Sequence, residues 1–249
     1  MIDDRAARGF AAAAHYDDSR PGYPPKAVAF ICKAARICCG STVLDLGAGT
    51  GLLTRLLPPV QRLVAVEPLP EMRAVLRANV PQAEVLDGAA EALPLQSDSV
   101  DAVVCAQAFH WFANEQALCE IARVLRQQGT LVLIWNVREI SDPLMSRVDQ
   151  VVAPYRLGSP GYDRSPWQEV LNGEDSPFVL SAHRTFAFEE DSTLGRLKAR
   201  VLSASYIALL DEPCREEVMR TLQGLVEGPD DKTPITMRYR TEIHVAERR

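Results

Sequence analysis

Between Thr42 and Val137 the chain repeats one pattern, a short apolar run followed by an amphipathic stretch, and this repeat limits the available folds more than any other feature. The runs "TVLDLGA", "RLVAVEP", "AEVLDGA", "VDAVVCAQA" and "GTLVLIWNV" read as strands; "GLLTRLL", "EMRAVLRANV" and "NEQALCEIARVLR" read as helices between them. Strands rich in Val and Leu on both faces, most of them followed by a helix, describe a parallel sheet covered on both sides.

Around this repeat the chain is less regular. Residues 1–25 lack sustained periodicity and end in "SRPGYPP", where proline and glycine forbid regular helix, so they read as an ordered arm. From Pro25 to about Cys39, Val28, Ile31, Ala35 and Cys38 fall at helical spacing, with Gly40 as the stop. Residues 139–180 show no clean period; "HRTFAFEE" reads as a strand, residues 192–227 as two helices, and "MRYRTEIHVAERR" as a last strand. A late strand pair around a helical insertion fits one domain with a cap, residues 1–249, divided into the arm (1–25), a binding core (26–137) and a substrate-facing remainder (138–249).

The net charge is −6, with Lys and Arg scattered among more numerous acids, which argues against a surface built to neutralise nucleic-acid phosphates or anionic lipid. A small-molecule ligand is expected, with no nucleic-acid or membrane partner, in a monomer or homodimer. The six cysteines form no C-x-x-C pair, which predicts a reducing, cytoplasmic setting and no structural metal. Neither a basic-then-apolar leader nor an apolar run of membrane-spanning length is read in the chain.

The segment "VLDLGAGTGLLT" is the most informative. Apolar residues lead into Gly47-Ala48-Gly49-Thr50-Gly51, where glycines let the backbone turn at a strand's carboxyl end and approach a ligand closely. Glu67 closes the next strand, where nucleotide-binding sheets keep an acid that bonds ribose hydroxyls. Asp45 is a carboxylate in an otherwise apolar strand, costly unless paired or hydrogen-bonded. The loop reads G-x-G-x-G, without the third glycine of the dinucleotide fingerprint and without the Lys-Ser/Thr of a P-loop, so a pyrophosphate is not favoured.

With "VAVEPLPEM", "LDGAAEALPLQSDSVDAV" and "IARVLRQQGTLVLIW" following in order, the chain resembles class I S-adenosylmethionine-dependent methyltransferases over roughly residues 10–137. "HYDDSRPGYP" and "AFHWF" narrow the resemblance to a group similar to trans-aconitate-type and other small-molecule methyltransferases. The resemblance implies a Rossmann-like α/β fold with a mostly parallel seven-stranded sheet, an antiparallel last strand, helices on both faces and a C-terminal helical cap. It also implies S-adenosylmethionine as cofactor and S-adenosylhomocysteine as its product. Gly47, Ala48, Gly49 and Gly51 would lie under the methionine part and Asp45 would support its ammonium. Glu67 would take the ribose hydroxyls, and Pro68, Leu69 and Met72 would line the adenine. Many relatives carry an acid where Ala89 stands, so contact with the adenine amino group falls to the backbone of Ala89 and Ala90 or to Asp87. Tyr16 and Arg20 would close over the cofactor, Arg20 on its carboxylate, and Gln107 would touch it. The turn "RQQGT" lacks the usual Pro-Gly of relatives, a change expected to alter only a surface turn.

Methyl transfer from a sulfonium is an in-line displacement governed by positioning, and a base is needed only for a protonated acceptor. His110, in "AQAFHWF", is the catalytic candidate with three readings open: general base, donor that orients an acceptor, or aromatic packing with Phe109, Trp111 and Phe112. For the acceptor pocket, Val201, Ser205, Ile207, Ala208 and Leu209 are placed on one helix, with Tyr155, Tyr162 and Trp167 before it. Arg138, Arg156, Arg196 and Arg200 are the candidates for an anionic acceptor. A nicotinamide-dependent oxidoreductase and a non-catalytic S-adenosylmethionine-binding module are the alternatives.

Overall fold

The computed structural model describes residues 19–156, 158–228 and 230–249. Seven strands form one sheet: β1 (Thr42–Leu46), β2 (Arg62–Val66), β3 (Glu84–Leu86), β4 (Val100–Ala106), β5 (Leu125–Arg138), β6 (Phe178–Thr193) and β7 (Pro234–Arg248). Their order is β3-β2-β1-β4-β5-β7-β6. The first five pair in parallel, whereas β7 runs antiparallel between β5 and β6. The expected Rossmann-like α/β sheet is therefore present, its direction changing at β1, between β2 and β4.

Alternation along the strands builds two cores. On one face Leu44, Leu46, Val64, Val66, Leu131 and Trp135 pack with Leu118 and Ile121 of α3 (Glu115–Val124). On the other, Val43, Ala65, Val104 and Ile134 pack with Ile31 of α1 (Pro25–Ala34) and Leu76 of α2 (Pro70–Asn79). Proline at the first turn of α1 and of α2 fits a position whose N–H has no helical partner, and Asn114 Oδ1 caps α3 by accepting from Ala117 N at 2.9 Å. A third core joins α4 (Pro143–Val152), α6 (Leu194–Leu202), α7 (Ser205–Ala208) and α8 (Glu212–Gln223) to Met237 and Tyr239 of β7; this is the helical cap. The short α5 (Trp167–Leu171) packs instead on the first core.

Local expectations fail in four places. "GLLTRLL" forms only a 3-10 turn, Thr54–Leu56, because Gly51 at φ 87° precedes it and Pro58-Pro59 forces Leu57 into extended backbone. α1 ends at Ala34, not near Cys39, since Arg36 enters the left-handed region at φ 53° and donates from its guanidinium to Gln128 O at 2.7 Å. Residues 143–152, read as irregular, are helical: Asp142 Oδ1 accepts from Met145 N, and Met145, Val148 and Val152 face the core. Residues 192–227 hold three helices, so Val201 lies on α6, Ser205, Ile207 and Ala208 on α7, and Leu209 just beyond, exposed. Among the described residues no helix is long and apolar enough to cross a membrane.

Candidate active site at the carboxyl ends of the parallel strands

The glycine loop leaves β1 through three residues of left-handed backbone: Gly47 at φ 69°, Gly49 at φ 57° and Gly51 at φ 87°. Gly47 and Ala48 donate to Val66 O at 2.8 and 3.2 Å, which ties the loop to the end of β2. The glycines have different jobs. A Cβ on Gly47 would stand 2.6 Å from the Ala108 side chain, whereas one on Gly49 would meet nothing within 4 Å. The loop at Gly49 therefore opens onto free space, as a backbone cradle for a ligand must. A Cβ on Gly51 would strike Leu76 and Val80 at 2.7 and 2.8 Å, so this glycine packs the loop against α2 and does not line the cleft.

Two buried carboxylates flank the loop. Glu67, at the end of β2, accepts from Gly49 N through Oε2 at 2.9 Å and from Leu69 N through Oε1 at 3.0 Å. Each oxygen keeps a lone pair, an arrangement suited to two adjacent hydroxyl donors. Burial raises the Glu67 carboxyl above the usual range, against the lowering effect of those two N–H bonds. Asp45 accepts from the Thr54 hydroxyl through Oδ2 at 2.6 Å, while its Oδ1 is buried with no partner among the described residues. Burial pushes Asp45 up to about 7; the Thr54 bond opposes this and the charge of Glu67 adds to it. An orphaned carboxylate oxygen facing a cavity calls for a cationic or N–H ligand.

Both acids line a cleft with about 1170 Å³ of empty space, part of it open to solvent. Of the expected cofactor residues, Arg20, Gly47, Ala48, Gly49, Pro68, Met72, Ala89, Ala90 and Gln107 line this cleft. Gln107 is held at φ 57° and donates from its side chain to Asn136 O at 3.0 Å. Tyr16 lies outside the described residues. Asp87 is held in a two-pronged pair with Arg73, at 2.9 and 3.1 Å, and does not line the cleft, whereas Ala89 and Ala90 do. Tyr23 and Asn136 also line the cleft and were not read from the sequence. Asn136 had a signal: it ends the apolar run of β5 on the crevice side. Its Nδ2 donates to Gly22 O at 3.0 Å and its Oδ1 accepts from Thr241, fastening the base of the arm to the sheet.

His110 sits in a 3-10 turn, Phe109–Trp111, behind the cleft wall that Trp111 and Phe112 supply. Its Nδ1 accepts from Trp135 Nε1 at 3.0 Å, which puts the ring proton on Nε2. Burial lowers its pKa to about 3, with smaller contributions from Arg164 and Arg20, so the ring is neutral at physiological pH. Tyr162 and Trp167 lie tilted against Trp135, at 5.1 and 4.8 Å between ring centroids, and pack in the first core. Tyr155 packs in the cap. Of the four arginines considered for an acceptor, Arg138, Arg156 and Arg200 converge under the cap, and Arg196 is half exposed beside Glu190. "RQQGT" forms no separate surface turn but lies within β5, where Gln128 takes left-handed backbone at φ 62° and its carbonyl accepts from Arg36.

Against known proteins, residues 44–133 match the family model described as a methyltransferase domain. The chain is 37% identical over 216 residues to the uncharacterised methyltransferase-like protein C25B8.10 of Schizosaccharomyces pombe, covering 86% of this chain and 84% of that one. It belongs to the methyltransferase family. The fold agrees: a candidate type II methyltransferase of Anaeromyxobacter dehalogenans superposes with a TM-score of 0.68 at 21% identity, over 92% of this chain and 97% of that one. Geranyl diphosphate C-methyltransferase of Streptomyces coelicolor A3(2), solved with Mg2+, geranyl diphosphate and S-adenosylhomocysteine, superposes at 0.51 and 12% identity, over 90% and 78%. Family membership makes the chain a methyltransferase and favours that reading over the oxidoreductase and non-catalytic alternatives.

Proposed function

We propose that the cleft binds S-adenosylmethionine and that the enzyme transfers its methyl group to a small-molecule acceptor entering from the cap side. The observation that carries this reading is the pair of buried strand-end carboxylates on either side of an open glycine cradle. Glu67 has one lone pair free on each oxygen for a ribose diol, and Asp45 Oδ1 has an unmet demand that an ammonium satisfies. Met72, Pro68 and Leu69 give an apolar slot for the adenine. Arg20, which lines the cleft, would supply a guanidinium for the cofactor's carboxylate. Tyr16 is proposed, on family resemblance, to close over the bound cofactor.

When bound, S-adenosylmethionine offers a methyl carbon on a sulfonium, and the acceptor's bond to carbon forms as the carbon–sulfur bond breaks, its electron pair remaining on sulfur. The chain's own contribution is alignment and exclusion of water by Trp111, Phe112 and the cap. His110 serves by positioning: a neutral ring whose acceptor nitrogen is taken by Trp135 is poorly placed to remove a proton and well placed to brace the aromatic wall. All cysteines among the described residues are free thiols, in keeping with a reducing, cytoplasmic setting. The test is incubation with tritium-labelled S-adenosylmethionine and panels of carboxylic acids, phenols and amines, with products sought by mass spectrometry. Label in a product supports the reading; no transfer, together with no heat on titrating S-adenosylmethionine, overturns it.

A further inference from the structure

The last two strands carry a second polar cluster, away from the cleft. Glu242 and His244 stand two residues apart on β7 and so point to the same face of the sheet. β6 runs antiparallel beside them in a register that sets His183 opposite His244 and Thr185 opposite Glu242. The backbone alone therefore brings two imidazoles and a carboxylate to one spot. The rings of His183 and His244 stack at 4.3 Å between centroids, and His183 Nε2 lies 2.8 Å from Glu242 Oε2. One ligand atom from each of the three residues lies within 4.8 Å of the other two. Among the described residues no other group of three His, Cys, Asp or Glu side chains is so close, and none of these three lines the cleft.

Two of the donors are buried and held by neighbours. Glu242 accepts from Arg240 Nε through Oε1 at 2.7 Å and from the Thr185 hydroxyl through Oε2 at 2.8 Å, which fixes its carboxylate. His244 stands edge-on to Trp167, at 4.7 Å between ring centroids, with its Nε2 3.3 Å from the Tyr162 hydroxyl. Outer partners of this kind orient metal ligands. A carboxylate and an imidazole beside Trp135 and Trp167 are costly to desolvate, a cost that a shared cation offsets. The third donor differs: the His183 side chain is 47% exposed, able to turn, and leaves one side of the cluster open to water. In a tetrahedral site with bonds of about 2.1 Å the donor atoms stand about 3.4 Å apart. The separations here, 2.8 Å for one pair and at most 4.8 Å for the others, bracket that spacing. The stacked rings must splay for both lone pairs to converge, and a turn of His183 supplies this. Two imidazole nitrogens and one carboxylate oxygen, with water in the fourth position, are a donor set that zinc takes. The lack of a C-x-x-C pair argues only against a thiolate site.

We propose that His183, Glu242 and His244 form a zinc site that pins the edge strand β6 to β7, separate from the methyl-donor cleft. The site does not rest on the methyltransferase reading and needs no occupant in the cleft.

The experiment is calorimetric titration of Zn2+ into the full-length protein, freed of any histidine tag and stripped of metal with EDTA. The variant H183A is run in parallel, with its folding checked by circular dichroism; the side chain is half exposed on an edge strand, so its loss leaves the core intact. Saturable binding of one Zn2+ per chain, weakened about tenfold or more in H183A, supports the site. Absence of saturable binding to the wild type, or a smaller loss in H183A, overturns it. Co2+ gives a second reading on the wild type that needs no variant. Strong visible absorption from a four-coordinate ion, abolished by one equivalent of Zn2+, supports the site, whereas the weak absorption of a six-coordinate aqua ion overturns it.

Discussion

A single orphaned oxygen on Asp45 links this fold's stability to its function. In the folded protein the carboxyl is raised from 3.8 to about 7 by burial, so between these values the folded state holds a proton that the unfolded state has lost. This favours the folded state at low pH, and the advantage disappears as pH rises through about 7. At about 1.4 kcal/mol per pK unit the effect is about 4–5 kcal/mol in a fully buried group. The prediction is a difference measurement. The unfolding free energy of wild type minus that of Asp45→Asn should fall by about 1 kcal/mol per pH unit from pH 5 to 7 and level off above about pH 8. Chemical denaturation at each pH checks it, and a flat difference would show that Asp45 ionises freely.

The glycines make a second pair of residue-level tests. Gly47→Ala forces left-handed backbone on a Cβ that meets Ala108, and Gly51→Ala drives a methyl into Leu76 and Val80. Each should cost about 1–3 kcal/mol in stability. In the chains that do fold, only Gly47→Ala should also weaken S-adenosylhomocysteine binding directly, because only Gly47 lines the cleft. The loop and Glu67 were legible in the sequence because their signal is local: glycine spacing at one strand end and an acid at the next. Gly51 could not be separated from its neighbours that way, since its role depends on where α2 places Leu76 and Val80.

At the scale of elements, the strands read more clearly than the helices. Apolar runs of Val and Leu mark buried strands wherever they pair, whereas "GLLTRLL" looks helical until Gly51 and Pro58 are weighed, and α4 is concealed by neighbouring prolines although Asp142-Pro143 is a helix start. The segment "AFHWF" located the end of β4, but its partner Trp135 lies 25 residues further on, in β5. That bond is testable. Trp135→Phe strips the donor from His110 Nδ1 and should destabilise the protein by about 1–3 kcal/mol. His110→Gln should leave the pH profile of methyl transfer unchanged in shape if the ring only braces the wall. A profile that loses an acidic limb would restore the general-base reading.

For the whole molecule, the sheet order explains why residues distant in sequence share one cleft. The order reverses at β1, and the carboxyl ends of β1, β2, β4 and β5 together present Asp45, Glu67, Gln107 and Asn136 to the same space. The sequence pattern carried the parallel units, and the family resemblance supplied the antiparallel end. Neither showed how the cap folds Arg138, Arg156 and Arg200 together, because that depends on helices packing across β7. Ligand binding should stabilise the entire domain. At a hundredfold excess over its dissociation constant, S-adenosylhomocysteine adds about 2.7 kcal/mol, a rise in melting temperature of about 5–10 °C by thermal shift.

The central claim, that Glu67 beside the glycine cradle holds the ribose of S-adenosylmethionine, is tested most directly by calorimetric titration of S-adenosylhomocysteine into wild type and Glu67→Ala. The account predicts one site per chain in the wild type and a loss of about tenfold or more in affinity in the variant, with its fold intact. Equal affinity in the two proteins, or no binding to the wild type, would contradict it.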